Sequence, residues 1–289
     1  MKTVGFIGVG VMGKSMVRNL MKAGYDVSVY TRTKSKVEDV LGEGAGWCGD
    51  VALCAAGKDA IITMVGYPKD VEEVYFGEGG IIESAKEGAC LIDMTTSDPG
   101  IAKRIYETAK SKGLHSVDAP VSGGDVGAKN GTLAIMAGGD REAFDACLPL
   151  FEAMGKTIVY EGAAGSGQHT KMANQIALGG AISGVCEAIA YAQKTGLDVE
   201  TMLNTLSQGA AGSWQMSNMA PRMLGGDFAP GFYIKHYIKD LKIALAQASA
   251  GGLDLGVTKL VASMYEGLAE DKGLGDLGTQ ALLKKYLPD

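Results

Sequence analysis

The run Val4-Gly5-Phe6-Ile7, followed at once by Gly8-Val9-Gly10-Val11-Met12-Gly13, restricts the possible folds of this chain more than any other stretch. A short apolar segment of β-branched and aromatic type reads as a buried strand, and the pattern that continues to Ala23 reads as a helix. Between a strand and a helix the spacing G-x-G-x-x-G has a mechanical meaning. Gly8 permits a tight turn, Gly10 lets a pyrophosphate approach the backbone, and Gly13 lets helix and strand pack closely. Phosphate would then rest on the helix N-terminus, with Val11 and Met12 among the residues against it. A glycine-rich turn without a ligand is the bland alternative.

The pattern continues as alternation. Strands are expected at residues 27–30, 60–65, 89–94, 115–119, 132–136 and 157–160, with helices between them at 70–75, 101–112 and 141–154. Such alternation predicts an α/β fold with a doubly wound, mostly parallel sheet of Rossmann type. Beyond Gly162 the strand signals stop, and helices are expected at 165–194, 199–208, 214–222, 239–250, 257–269 and 279–286. The expected division is therefore a dinucleotide-binding domain at 1–162 and an all-helical domain at 163–289, which is attached through one long helix and would close a cleft over the nicotinamide.

Ligands of such sheets sit beyond the carboxyl ends of the strands. The end of the second strand carries Thr31-Arg32-Thr33-Lys34-Ser35-Lys36 and no carboxylate; Asp26 lies at the other end. An arginine among hydroxyls and lysines suits a 2′-phosphate, so Thr31, Arg32, Thr33 and Lys36 point to NADP, with NAD the alternative. Other strand ends carry Met64-Val65, Thr95, and Asp118-Ala119-Pro120-Val121-Ser122-Gly123-Gly124. In the last, the Ser122 hydroxyl and the N–H groups of the glycines suit a carboxylate.

The long helix brings a further constraint. Between Glu161 and Glu187 the only formally charged side chain is Lys171, set near the start of a helix that is apolar nearly all round and is expected to be buried. Desolvation and the positive helix end both disfavour its cation. Asn174 and Gln175 lie three and four residues on, along the same face. A lysine head that snorkels to water is the alternative. A second polar cluster, Lys239-Asp240, is expected to open the helix at 239–250.

Composition excludes several classes. A net charge of −6 with no basic run beyond Arg32, Lys34 and Lys36 argues against a nucleic-acid partner. The five cysteines form no CxxC pair and no signal peptide is visible, which suggests reduced thiols in the cytoplasm. No metal is expected, because the three histidines show no ligand spacing. The long helix is broken by glycine pairs and amides, so no membrane span is expected, and its many small residues suit packing on a copy of itself as a homodimer or homotetramer.

With the glycine fingerprint, DAPVSGG, GxxxKMANQ and KDLxxAL all in one order, the chain resembles the β-hydroxyacid dehydrogenase family, which includes 3-hydroxyisobutyrate dehydrogenase, tartronate semialdehyde reductase and glyoxylate/succinic semialdehyde reductase. The resemblance covers residues 3 to about 285. It implies that Lys171 is the catalytic acid/base and that Ser122, Gly123 and Gly124 form the turn for the substrate carboxylate. It further implies that Thr95 and Lys239 contact the cofactor, and that Asn174, Gln175 and Asp240 lie at the substrate. Asn174-Gln175 replaces the family's frequent Asn pair and resembles the tartronate semialdehyde reductase branch. The expected activity interconverts a short β-hydroxy acid and its semialdehyde. An NADP(H)-binding sensor without catalysis and an oxidative decarboxylase of the 6-phosphogluconate type are the alternatives; the second is disfavoured because the helical half offers a single arginine, Arg222.

Overall fold

The computed structural model describes residues 1–287, which divide into two compact units, Met1–Lys171 and a second that begins at Met172. In the first unit the described strands are β1 (Thr3–Ile7), β2 (Asp26–Tyr30), β3 (Gly46–Trp47), β4 (Ala60–Thr63), β5 (Cys90–Asp93), β6 (His115–Asp118), β7 (Val121–Ser122), β8 (Leu133–Gly139) and β9 (Gly155–Gly162). They form one sheet in the order β3-β2-β1-β4-β5-β6-β8-β7, with β9 also paired to β8. From β3 to β6 all pairs are parallel, whereas β8 runs antiparallel to β6 and β7.

The unit's helices are α1 (Val11–Lys22), α2 (Glu38–Gly42), α3 (Val51–Ala55), α4 (Pro68–Phe76), α5 (Ile81–Ser84), α6 (Pro99–Ser111), α7 (Gly124–Asn130) and α8 (Arg141–Met154). They cover both faces of the sheet because alternate strand residues point to opposite sides. Val4, Phe6, Ala60, Ile62, Cys90 and Ile92 pack in one core with Met16, Val17 and Leu20 of α1 and Phe144, Cys147 and Phe151 of α8. Ile7, Ile61 and Leu91 pack in the other with Val71 and Tyr75 of α4 and Ile105 of α6. The strands β3 and β7 were not expected: two residues leave no alternation to detect.

A single helix, α9 (Ser166–Thr195), runs from the first unit into the second, where α10 (Val199–Leu206), α11 (Ala220–Leu224), α12 (Ile234–Ala250) and α13 (Gly256–Glu270) surround its second half. Ile182, Val185, Cys186 and Ile189 of α9 form an i, i+3, i+4, i+7 stripe in a core with Met223, Tyr237, Leu241, Val261 and Tyr265. By length and composition α9 would reach across a bilayer, and 39% of its most apolar window is buried within the protein.

Four expectations are corrected here. The long helix is not buried all round: Ala173, Ala177, Gly180, Gly184 and Tyr191 form an exposed stripe, because small residues lower the polarity of a surface without requiring that it be covered. Residues 239–240 do not open a helix, since α12 begins at Ile234, where the buried spacing Ile234, Tyr237, Leu241, Ala244 already runs. Residues 214–222 are not one α-helix: Gln215–Met219 is a π turn, and α11 starts afresh around Pro221, which has no N–H to continue the ladder. Residues 279–286 wind as a 3₁₀ segment, Thr279–Lys285.

Candidate active site

The glycines of the β1–α1 turn divide by what a side chain would meet. Gly8 has φ +98°, and a Cβ there would run into the Met64 carbonyl; a Cβ on Gly13 would meet the Gly8 carbonyl and, at 3.1 Å, the Phe6 ring. Around Gly10 there is nothing within 4 Å of such an atom. Two glycines are thus required by packing and one faces open space. The α1 N-terminus beside that space has no side-chain cap and no acidic residue in its first turn. Its N–H groups and helix dipole suit a diphosphate, so the residues present fit a dinucleotide.

Arg32 follows β2 and is exposed, with its Nη1 3.5 Å from Asp70 Oδ1. The other carboxylate oxygen of Asp70 accepts from Tyr67 N at 2.9 Å, at the start of α4. Thr33 and Lys36 are exposed beside it, and Thr31 is half-buried. At the ends of β4 and β5, Val65 N donates to Thr95 Oγ1 at 3.0 Å, and Asp93 Oδ1 accepts from Thr95 N and from the Thr63 hydroxyl. Met64 and Val65 are half-buried there.

After β6 the backbone turns through Gly123 and Gly124, with φ +127° and +63°. Consecutive positive φ values demand glycine; Gly123 caps α7 without a side-chain hydrogen bond, and in the first turn Val126 N donates to Asp125 Oδ1 at 2.9 Å. Ser122 holds its place through the β7 pairing with Ala134 and is half-buried.

Lys171 lies in the second turn of α9 and is 6% exposed. A water-seeking lysine at a helix end would show far more surface, so snorkelling does not describe it. One turn further, in the helical unit, Asn174 Nδ2 donates to Gln175 Oε1 at 2.7 Å, and Gln175 Nε2 donates to Asp240 Oδ2 at 2.6 Å. Lys239 Nζ stands 3.1 Å from the other oxygen of that carboxylate. Both ends of the Gln175 amide are therefore engaged within the protein, and its extra methylene is what reaches Asp240. Tyr237 donates to the Gln175 carbonyl at 2.8 Å, against Gly179, where a Cβ would sit 2.7 Å from the phenol oxygen.

Two buried groups were passed over by the sequence reading, Asp118 and Gln168. Asp118 accepts from Gly165 N at 2.7 Å and Gln168 N at 2.9 Å. Burial pushes its carboxyl up to about 7, while those two N–H donors pull it back. The available signal was its place at the carboxyl end of a strand. For Gln168 the signal was weaker, a lone amide ahead of Lys171.

Comparison with known proteins accounts for both units. Residues 3–162 match the NAD-binding domain of 6-phosphogluconate dehydrogenase, and residues 165–286 match the domain described as NAD-binding of NADP-dependent 3-hydroxyisobutyrate dehydrogenase. The chain belongs to the β-hydroxyacid dehydrogenase family. An uncharacterised oxidoreductase of Bacillus subtilis is 58% identical over 99% of both chains. Glyoxylate/succinic semialdehyde reductase 1 of Arabidopsis thaliana is 34% identical over 97% of both. A solved 3-hydroxyisobutyrate dehydrogenase of Mycobacterium tuberculosis, with L-serine, superposes with a TM-score of 0.92 over the whole of both chains at 29% identity. This β-hydroxyacid dehydrogenase is thus an NAD(P)-dependent oxidoreductase of the 3-hydroxyisobutyrate dehydrogenase type. Its likeness to 6-phosphogluconate dehydrogenase is confined to residues 3–162, while residues 165–286 match the 3-hydroxyisobutyrate dehydrogenase domain.

Proposed function

We propose that this dehydrogenase interconverts a short β-hydroxy acid and its semialdehyde of three to five carbons, with NADP(H) preferred and Lys171 as the general acid/base. The observation that carries the reading is a lysine 6% exposed, one turn ahead of Asn174, on a helix that otherwise lacks charge up to Glu187. When bound, the nicotinamide supplies or accepts the hydride. Lys171 protonates the alkoxide oxygen that develops in reduction, and takes the hydroxyl proton in the reverse direction. Ser122 and the N–H groups of Gly123 and Gly124 hold the substrate carboxylate and so fix which carbon is presented. Asp240, held by Gln175 and Lys239, keeps the Asn174 amide oriented through Gln175.

Arg32, Thr33 and Lys36 would hold the 2′-phosphate, and Gly10 with the α1 N-terminus the diphosphate. The preference for NADP rests on the absence of a carboxylate after β2. The exposed stripe of α9 from Ala173 to Gly184 supports a homodimer or homotetramer. The test is a panel of short semialdehydes with both cofactors, on the parent and on Lys171→Ala. Loss of a general acid lowers turnover about 10²- to 10⁴-fold with little change in NADPH affinity. Parent-like turnover by Lys171→Ala would remove this lysine from the chemistry.

A further inference from the structure

The first turn of α9 is tied to the sheet by side chains that the proposed reaction does not use. Gln168 is fully buried, three residues before Lys171. Its Nε2 donates to the Thr95 carbonyl at 2.8 Å, and its Oε1 accepts from Ser97 N at 2.9 Å. Only one orientation of the amide satisfies a carbonyl and an N–H together, so the side chain is locked at both ends. Beside it the Asp118 carboxylate takes Gly165 N and Gln168 N, one on each oxygen.

Between these bonds the helix lies directly on the strands. A Cβ on Gly167 would collide with the Met136 carbonyl and with Asp118 O at 2.7 Å, and one on Gly138 would stand 2.8 Å from Gly167 N. The helix start is held from two strand ends, the segment after β5 and the end of β6, with backbone close to backbone at Gly167 and Gly138 and the Asp118 carboxylate beside both. On an α-helix a step of three residues turns about 300°, so the side chains of Gln168 and Lys171 leave the axis about 60° apart. A shift of the Gln168 amide therefore moves the Lys171 stem with it. Thr95, whose carbonyl takes the amide, also meets Val65 N through its hydroxyl.

We infer that Gln168 is a positioning residue that fixes Lys171 relative to the strand-end segment bearing Thr95, with Asp118 holding the same helical turn from β6. The inference rests on the reading of Lys171 as the proton donor. Without the amide the fold has Asp118 and the two glycine contacts to keep the helix in place, but the last fraction of an ångström is lost. A full displacement of about 1 Å costs on the order of 10²-fold in rate when it falls on a catalytic group, so a fraction of it costs less.

The experiment compares Gln168→Leu, Gln168→Glu and Lys171→Ala with the parent, each saturated with NADPH and assayed well below its melting temperature. Gln168→Leu keeps the bulk and loses both bonds; its kcat should fall about 10- to 100-fold, while KM for the semialdehyde and Kd for NADPH move less than about threefold. Gln168→Glu adds a readout that a purely structural role does not move. A neutral carboxyl offers an acceptor to Ser97 N and a donor to Thr95 O, as the amide does; a carboxylate offers only acceptors. The ratio of its kcat to the parent's should therefore rise at least about fivefold from pH 9 to pH 6. The titratable groups around the site are Asp93 and Asp118 from the strands, Asp98 and Lys103 from the α6 side, and His169 and Lys171 on α9; the parent contains all of them, so the ratio cancels their own effects.

A parent-like kcat in Gln168→Leu, or a loss confined to KM or NADPH affinity, overturns the positioning role. So does a kcat ratio for Gln168→Glu that stays flat with pH. If Lys171→Ala is inactive while Gln168→Leu turns over normally, only this inference fails. If Lys171→Ala is active, the proton-donor reading fails with it.

Discussion

Substituting alanine at Gly10 and at Gly13 separates two roles that the fingerprint merges into one pattern. Gly10 has φ −83° and ψ −157°, which alanine adopts, and open space where the methyl would go. Alanine caps a helix somewhat less well than glycine, by a few tenths of a kcal/mol up to about 1 kcal/mol, and stiffens the unfolded chain by about 0.4–1 kcal/mol. The two offset, so Gly10→Ala should melt within about 2 °C of the parent. At Gly13 a helix gains up to about 1 kcal/mol from alanine, but the new carbon overlaps the Gly8 carbonyl, just after β1, and stands 3.1 Å from the Phe6 ring within it. Overpacking of this kind costs about 1–3 kcal/mol, leaving a net loss of up to about 2 kcal/mol and up to about 8 °C in Tm.

Cofactor affinity should rank the two in the opposite order. In the proposed binding mode a methyl on residue 10 would fill the space where the diphosphate would meet the α1 N–H groups. Losing even one charge-assisted hydrogen bond costs about 1.5–3 kcal/mol, which weakens binding about 10- to 150-fold. Thermal unfolding of the apo proteins and fluorescence titration with NADPH measure both quantities on the same samples. If Gly10→Ala melts as early as Gly13→Ala, the packing distinction is wrong; if it binds NADPH as the parent does, the diphosphate does not lie on this turn.

Arg32→Ala should raise the Kd for NADPH about 10- to 100-fold and leave NADH within about twofold, since an exposed guanidinium contributes through the phosphate it meets. Equal weakening of both would remove the 2′-phosphate argument. Asp118 yields a pH prediction. Its carboxyl is raised to about 7 from 3.8, so the folded state holds a proton that the unfolded chain has released, and its contribution is full below pH 3.8 and lost as the pH rises through 7. Relative to Asp118→Asn, the parent's urea midpoint should therefore fall between about pH 4 and pH 7 and then level off. A difference that rises over that range refutes the assignment. Gly180→Glu, placed in the exposed stripe of α9, should reduce the sedimentation mass of the parent assembly; a parent that sediments as a monomer would remove the oligomer from the proposal.

The fingerprint, the alternation of strands and helices and the end of strand signals at Gly162 were legible because each is a local periodicity: a strand repeats every two residues, a helix every 3.6. Lys171 stood out for a related reason, as a lone charge in a long apolar run. The start of α12 was not legible, because Ile234 and Tyr237 declare themselves helical only once they are packed with Leu241. Nor was the exposed stripe of α9, since alanine and glycine carry no sign of which side faces the core.

What the sequence determined by itself was the doubly wound half, the helical half and the family, for these follow from order and spacing along the chain. What the tertiary structure decided is which polar groups meet. Gln175 spans to Asp240 across 65 positions, Gln168 to Thr95 across 73, and Asp118 to Gly165 across 47. Hydrogen bonds act over about 3 Å, and no local pattern encodes a partner so far away along the chain. Only the packing of the strands and helices that carry these side chains brings them within that reach.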